Sequence, residues 1–289
     1  MIRLFTDSDC DVTPEFAKEY GYSLISMPYS IDDKTIYPYV DFDVFDDKTF
    51  YQGLRDGIMP TTSAISVEKY LEYFEPVFAA GDDVLYVHFS RAMSATFANM
   101  DKAEEILAEK YPERKLYCVD AMGISLPGLA IAREVGEMFR AGKSAEEILE
   151  WAKEGVFTWA VYFMADDLRF FKRSGRVSGL AATMGTLLGI RPIIYMNDEG
   201  KMVSIGKERG REKALARLVE YAKEIGDDVA GHKIFIAHSD ALEIAERLAE
   251  LVRAEFGENV DIEFVKVNPT AGSHCGPDAI GLCFHAFKR

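Results

Sequence analysis

Apolar and polar positions alternate along the chain in a way that divides it into short strands and amphipathic helices. IRLFT (2–6) is a short apolar run, and DVTPEFAKEYG (11–21) reads as a helix with Thr13 as N-cap, Pro14 at its first position and Gly21 at its end. YSLISMPYSI (22–31) predicts a second strand, DDKTFYQGLRDG (46–57) a short helix, and MPTTSAIS (59–66) a loop whose Ser66 caps the helix VEKYLEYFEPVFAAG (67–81). The strand DVLYVHFS (83–90), the helix SATFANMDKAEEILAEKY (94–111), the strand KLYCVD (115–120) and the helix GISLPGLAIAREVGEMFRAG (123–142) continue the series. This β-α-β-α order predicts a mainly parallel sheet with helices on both faces.

The order changes after a helix, AEEILEWAKEG (145–155), whose Ser144 and Glu147 have the spacing of a capping box. VFTWAVYFMA (156–165) predicts a strand, LRFFKRSG (168–175) one or two helical turns, and SGLAATMGTLLG (178–189) an unusually apolar helix. RPIIYM and KMVSIG flank the turn NDEG (197–200), which predicts a hairpin. Two amphipathic helices, 209–226 and 240–256, then stand among the strands HKIFIAHS, VDIEFVKV and GLCFHAF. The expected fold class is α/β in two domains: a mainly parallel α/β domain over 1–154 and a mixed α+β domain over 155–289.

Composition removes several function classes. Of 289 residues 48% are hydrophobic, enough for one large core or two ordinary ones, and the formal net charge is −15. A surface of that sign is a poor partner for nucleic acid or for an anionic membrane. No apolar run reaches the length of a membrane span. MIRLFTDSD has no signal-peptide layout, so a cytoplasmic protein is expected. Cys10, Cys118, Cys275 and Cys283 are far apart or in no ligand spacing, and they read as reduced thiols rather than a disulfide frame or a zinc site. No metal and no cofactor is expected.

Six stretches carry candidate chemistry. FTDSDCDVT (5–13) leaves the first strand with Asp7, Asp9 and Asp11. Acidic residues at a strand's carboxyl end often line the crevice of an open α/β sheet. They also form helix caps and turns, and both readings stay open. PTTSAIS (60–66) gathers Thr61, Thr62, Ser63 and Ser66, and HFSRAMSATF (88–97) adds Ser90, Ser94 and Thr96 where a strand hands over to a helix. Hydroxyls and free N–H groups at a helix start suit an anion, and equally suit ordinary capping. Neither G-x-x-x-x-G-K-[ST] nor G-x-S-x-G occurs, which excludes a P-loop and weakens a hydrolase reading. LRFFKRSGRVSG (168–179) is a basic knot of Arg169, Lys172, Arg173 and Arg176, and GKERGREKAL (206–215) places Lys207, Arg209 and Arg211 at a helix start, where they oppose its dipole. NPTAGSHCGPDAIG (268–281) sets His274 in a loop loosened by Gly272, Gly276 and Gly281, a backbone able to approach a ligand closely.

Taken together and in order, FTDSD, PTTSAIS, SRAMSAT (90–96), KRSGRVSG (172–179) and HCGPDAIG (274–281) resemble the DegV family of bacterial fatty-acid-binding proteins. The resemblance covers almost the whole length. It implies two α/β domains with one long-chain fatty acid in a tunnel between them and its carboxylate held by hydroxyls and a histidine. Position by position these are Thr62, Ser63, Ser94 and His274. It also implies a partner, the ATP-binding subunit of a fatty-acid kinase, which phosphorylates the held carboxylate. Arg173 and Arg209 match the family's basic segments, as phosphotransfer or docking residues. The chain departs from the family pattern at Ala64 and Ile65, where relatives have Gln and Pro, and at Cys275 and Asp278, where they have Thr and Gly. Asp278 would bring a carboxylate near a carboxylate site. GLAATMGTLLGI (179–190) would supply apolar wall, with neutral hydroxyls and one imidazole pairing the head group without a fixed cation. Two alternatives remain: a Mg²⁺-dependent phosphatase using Asp7, Asp9 and Asp11, and a carrier or regulatory module for another apolar metabolite.

Overall fold

The computed structural model of the chain describes residues 1–179 and 189–289. The predicted apolar helix at 178–189 lies almost wholly outside the described residues. The chain forms two compact units. The first is Met1–Phe45 with Pro60–Val156, and the second is Asp46–Met59 with Phe157–Arg289. The fold is α/β, as the alternation predicts.

In the first unit four strands make a wholly parallel sheet in the order Tyr22–Ile25, Ile2–Asp7, Asp83–His88, Leu116–Asp120. The intervening helices start where the sequence marks them. Thr13 accepts a hydrogen bond from the Phe16 amide at 3.3 Å, Gly21 ends that helix in the left-handed conformation, and Ser66 accepts from Lys69 N at 3.2 Å. The capping box of Ser144 and Glu147 is complete in both directions.

Two expectations need correction here. YSLISMPYSI is not one strand: Tyr22–Ile25 joins the parallel sheet, and Tyr29–Ile31 joins a separate antiparallel sheet. Side chains capture the backbone between them. Ser26 Oγ donates to the Pro38 carbonyl at 2.7 Å, Met27 N donates to Ser8 Oγ at 2.9 Å, and Pro28 has no N–H to offer a ladder. The loop 59–66 likewise contains a strand of two residues, Thr61–Thr62, which pairs with Ser30 and Tyr29. The third strand of this small sheet is Lys34–Ile36, reached through Asp32 and Asp33, both at positive φ as a two-residue hairpin turn requires.

The second unit is built on seven strands in the order Ile262–Lys266, Ile234–His238, Ile280–His285, Trp159–Met164, Ile190–Met196, Met202–Arg209, Val177–Ser178. Only the outermost pair at each end is parallel, so the sheet is mixed. The NDEG turn closes the predicted hairpin, with Asn197 Oδ1 accepting from Glu199 N and Lys201 N. The helices Arg211–Ile225 and Leu242–Phe256 bury Leu215, Leu218, Leu248 and Val252 against Ile236, Leu282 and Phe284. Tyr162 and Tyr221 stack there, with ring centroids 4.3 Å apart.

The helix Asp47–Arg55 belongs to this second unit although its neighbours in sequence belong to the first. Its Tyr51 is wholly buried and donates to the Val267 carbonyl at 2.9 Å.

Candidate functional site

NPTAGSHC is helix, not open loop. Pro269–Cys275 makes two turns, entered through Asn268, whose Oδ1 accepts from Ala271 N at 2.9 Å. Pro269 takes the first helical position, and Gly276, at φ +72°, ends the helix in a conformation that an L side chain rarely adopts. The glycines do bring the backbone close to something, but it is protein. A Cβ on Gly272 would stand 2.5 Å from the Tyr51 hydroxyl oxygen, and one on Gly276 would stand 2.4 Å from the Phe170 ring.

His274 sits near the end of this helix, largely buried. Burial and the guanidinium groups of Arg176 and Arg173 push its pKa down from 6.5 to about 4. At neutral pH the ring is therefore uncharged, and two fixed cations act on it. Arg173 is carried by the helix Leu168–Ser174 and donates to the Met59 carbonyl at 2.7 Å. Arg176 lies just beyond it and was not singled out from the basic knot by sequence reasoning. Arg209 closes the strand Met202–Arg209 opposite Ile190 and is exposed.

Asp278, at φ +60°, points its carboxylate into a chain of charges. Arg55 Nη2 lies 2.8 Å from one oxygen and Arg211 Nη2 lies 3.6 Å from the other. Arg55 also pairs with Asp240 at 2.5 Å, while Arg211 and Arg191 share Asp166. The carboxylate that seemed misplaced beside a carboxylate site is thus engaged by two arginines.

On the first unit the two hydroxyl-rich stretches are joined through the side chains of Thr96 and Asn99. Thr96 Oγ1 accepts from Ile65 N at 3.0 Å and lies 3.1 Å from the Tyr70 hydroxyl, while Asn99 donates to the Ile65 carbonyl at 2.7 Å. This ties the segment of Thr62 and Ser63 to that of Ser94. Ile65 is buried between them. Ser94 follows the 3₁₀ turn Arg91–Met93, and its Oγ accepts from Thr96 N at 3.2 Å. Capping and anion binding are therefore not exclusive here, because a serine oxygen that accepts one bond still has its own O–H to give. Thr62 and Ser94 are half-buried, and Ser63 is exposed.

The acidic stretch is differently employed. Asp7 is wholly buried and accepts from Asp9 N at 3.0 Å, the Tyr86 hydroxyl at 2.9 Å and Phe89 N at 3.1 Å. Desolvation raises its pKa to about 7 in spite of these bonds. Burial, and then the charges of Asp7 and Asp11, hold Asp9 well above the carboxylate range. Asp11 accepts from the Ser125 hydroxyl. Burial of this kind disfavours the charged form that a nucleophile or a cation ligand needs. Among the described residues no group of three or more His, Cys, Asp or Glu side chains is arranged to hold a metal ion. No helix among them is long and apolar enough to cross a membrane.

Against known families, the model described as an uncharacterised protein of the DegV family matches residues 1–286. The chain belongs to the DegV family. A DegV domain-containing protein of Clostridium perfringens is 34% identical over 282 residues, spanning 97% of this chain and 96% of its own. Among solved structures, DegV from Bacillus subtilis, described as a fatty acid binding protein, superposes with a TM-score of 0.83 at 25% identity, covering 99% of each chain. A fatty acid binding DegV family protein from Streptococcus agalactiae gives 0.85 at 25% identity, again covering 99% of each. A stearic acid-binding protein from Eubacterium ventriosum shares the fold, with a TM-score of 0.87 at 21% identity over 99% of this chain and 98% of its own.

Two measurements check the site geometry of this DegV protein. Thr96→Val keeps the shape but leaves the buried Ile65 amide without its acceptor, which is expected to cost about 1–3 kcal/mol of stability in urea unfolding. A loss below about 0.5 kcal/mol would show that Thr96 does not hold the two stretches together. His274, followed by NMR, is expected to titrate near 4 and to move up toward 6.5 in Arg173→Ala. The sign for stability follows: the unfolded ring takes a proton below about 6.5 and the folded one does not, so His274 favours folding above that pH. This contribution, at most about 3 kcal/mol, is lost as pH falls from 6.5 through 4.

Proposed function

We propose that this chain binds a long-chain fatty acid, with Thr62, Ser63 and Ser94 of the first unit and His274 of the second serving its carboxylate. The observation that carries the reading is the state of His274: a desolvated, neutral imidazole under the influence of Arg173 and Arg176. Such a ring can donate a hydrogen bond, and the arginines offset the charge of an arriving anion. Family membership supports the reading, as do the Bacillus and Streptococcus relatives that are described as fatty acid binding. Energetics is consistent with it. Each buried methylene contributes about 0.8 kcal/mol, so a chain of about 14 contributes roughly 11 kcal/mol before several kcal/mol of ordering cost. The head group then needs only pairing, since an unpaired carboxylate in a dry site is expensive.

Beyond binding, the proposal is that this chain catalyses nothing itself and presents the carboxylate to a separate ATP-binding kinase subunit. Burial of the tail would slow hydrolysis of an acyl-phosphate by excluding water. Arg209, exposed at a strand end in an otherwise acidic chain, would dock the partner or offset the charge that gathers as phosphate approaches carboxylate.

Organic extraction and mass spectrometry of protein purified from cells are expected to yield a long-chain acyl species. With delipidated protein, Ser94→Ala and His274→Ala are each expected to bind a fluorescent fatty acid at least tenfold more weakly, as loss of a bond to a charged group implies. Absence of an acyl species together with wild-type affinity in both variants would sink the assignment. For the partner, Arg209→Ala is expected to keep fatty-acid binding and to lose acyl-phosphate formation when reconstituted with the cognate kinase subunit. Phosphorylation at the wild-type rate would leave Arg209 a solvated surface charge.

A further inference from the structure

Asp47, Tyr51 and Arg55 recur every four residues along the helix Asp47–Arg55, so they form one stripe on its surface. Each member reaches the polypeptide that carries His274, at a different point along it. The Asp47 carboxylate, itself buried, takes the Lys266 ammonium at 2.7 Å. The Tyr51 hydroxyl donates to the Val267 carbonyl at 2.9 Å, and the same hydroxyl is what a Cβ on Gly272 would strike at 2.5 Å. Arg55 takes Asp278 at 2.8 Å. The contacts therefore begin just before the helix Pro269–Cys275, touch its middle, and end just after it.

We infer that Asp47, Tyr51 and Arg55 are positioning residues: the helix they belong to is a clasp that sets where the His274 ring stands, and Gly272 is the seat on which Tyr51 closes. A helix of two turns has little stability of its own, so its place is set by what holds its ends. Here the holders at both ends come from one rigid stripe, and Gly272 allows that stripe to sit against the backbone. A small lift of the His274 helix would carry the ring away from Arg173 and Arg176 and toward water. The inference rests on the fatty-acid reading only in giving His274 a ligand; the clasp itself is a statement about the unliganded protein.

The test separates the two. Gly272→Ala in the full-length, ligand-free protein is expected to shift the NMR titration of His274 from near 4 toward 6.5 and to weaken binding of cis-parinaric acid at least tenfold. Adding Tyr51→Phe removes the hydroxyl and leaves a ring carbon at 3.0 Å as the nearest atom to the new methyl, so the double variant is expected to recover at least half of the titration shift. Arg55→Ala, which adds no bulk, is expected to move the titration in the same direction by a smaller amount. An unchanged His274 titration in both Gly272→Ala and Arg55→Ala overturns the clasp. So does a Gly272→Ala shift that Tyr51→Phe fails to relieve, since the effect would then be a general loosening. If the titration moves and recovers as stated but wild-type protein ignores cis-parinaric acid, the clasp stands and the fatty-acid reading alone falls.

Discussion

Taking an imidazole out of water beside two guanidinium groups determines how the site region of the second unit is arranged. Burial alone would keep the His274 ring neutral, and Arg173 and Arg176 add to that preference. A neutral ring needs no counter-ion of its own, so it can remain buried. The arginines remain exposed, with Arg173 held to the Met59 carbonyl. Cations near a carboxylate site usually compete for it with the protein's own acids. Here the nearest such acid in sequence, Asp278, is turned to Arg55 and Arg211.

The departures from the family pattern become intelligible on the same terms. At position 278 the backbone is left-handed, a conformation that favours glycine. Aspartate is among the few other residues that adopt this conformation at modest cost. In exchange for glycine's freedom the chain gains a carboxylate that two arginines share. Ile65 has an N–H to give, and that N–H is what Thr96 accepts. A proline there could not make this bond, so the tie between the two hydroxyl stretches is specific to a residue with an amide proton.

Most elements were legible because their ends carry capping chemistry: Thr13 with Pro14, Ser66, Ser144 with Glu147, and the NDEG turn all act where their residue types suggest. Asn268, Pro269 and Gly276 form the same signature, and it was legible too. The glycines of that stretch read locally as flexibility, whereas Gly272 and Gly276 serve close packing against Tyr51 and Phe170. The division of YSLISMPYSI was not legible, since Ser26 and Met27 are held by Pro38 and Ser8, contacts that no local pattern encodes. The same holds for the membership of Asp47–Arg55 in the second unit. Its stripe of Asp, Tyr and Arg reads locally as an ordinary amphipathic face, and only the partners at 266, 267 and 278 give it meaning.

The acidic stretch shows why residue type and position at a strand end are insufficient to assign chemistry. A carboxylate that is to attack or to bind a cation must be charged and reachable. Asp7 is not reachable: it lies wholly inside, where the amides of Asp9 and Phe89 and the Tyr86 hydroxyl are among the groups that donate to it. It therefore joins the end of its own strand to the end of the neighbouring strand Asp83–His88. Such donors on one carboxylate would ordinarily hold its pKa low, yet desolvation outweighs them and raises it to about 7. At His274 desolvation and like charge act in the same direction. Asp7, with a pKa of about 7, is only partly protonated at pH 7, and its bonds are already made inside a closed core. His274 is neutral at that pH, held so by burial and by the neighbouring arginines.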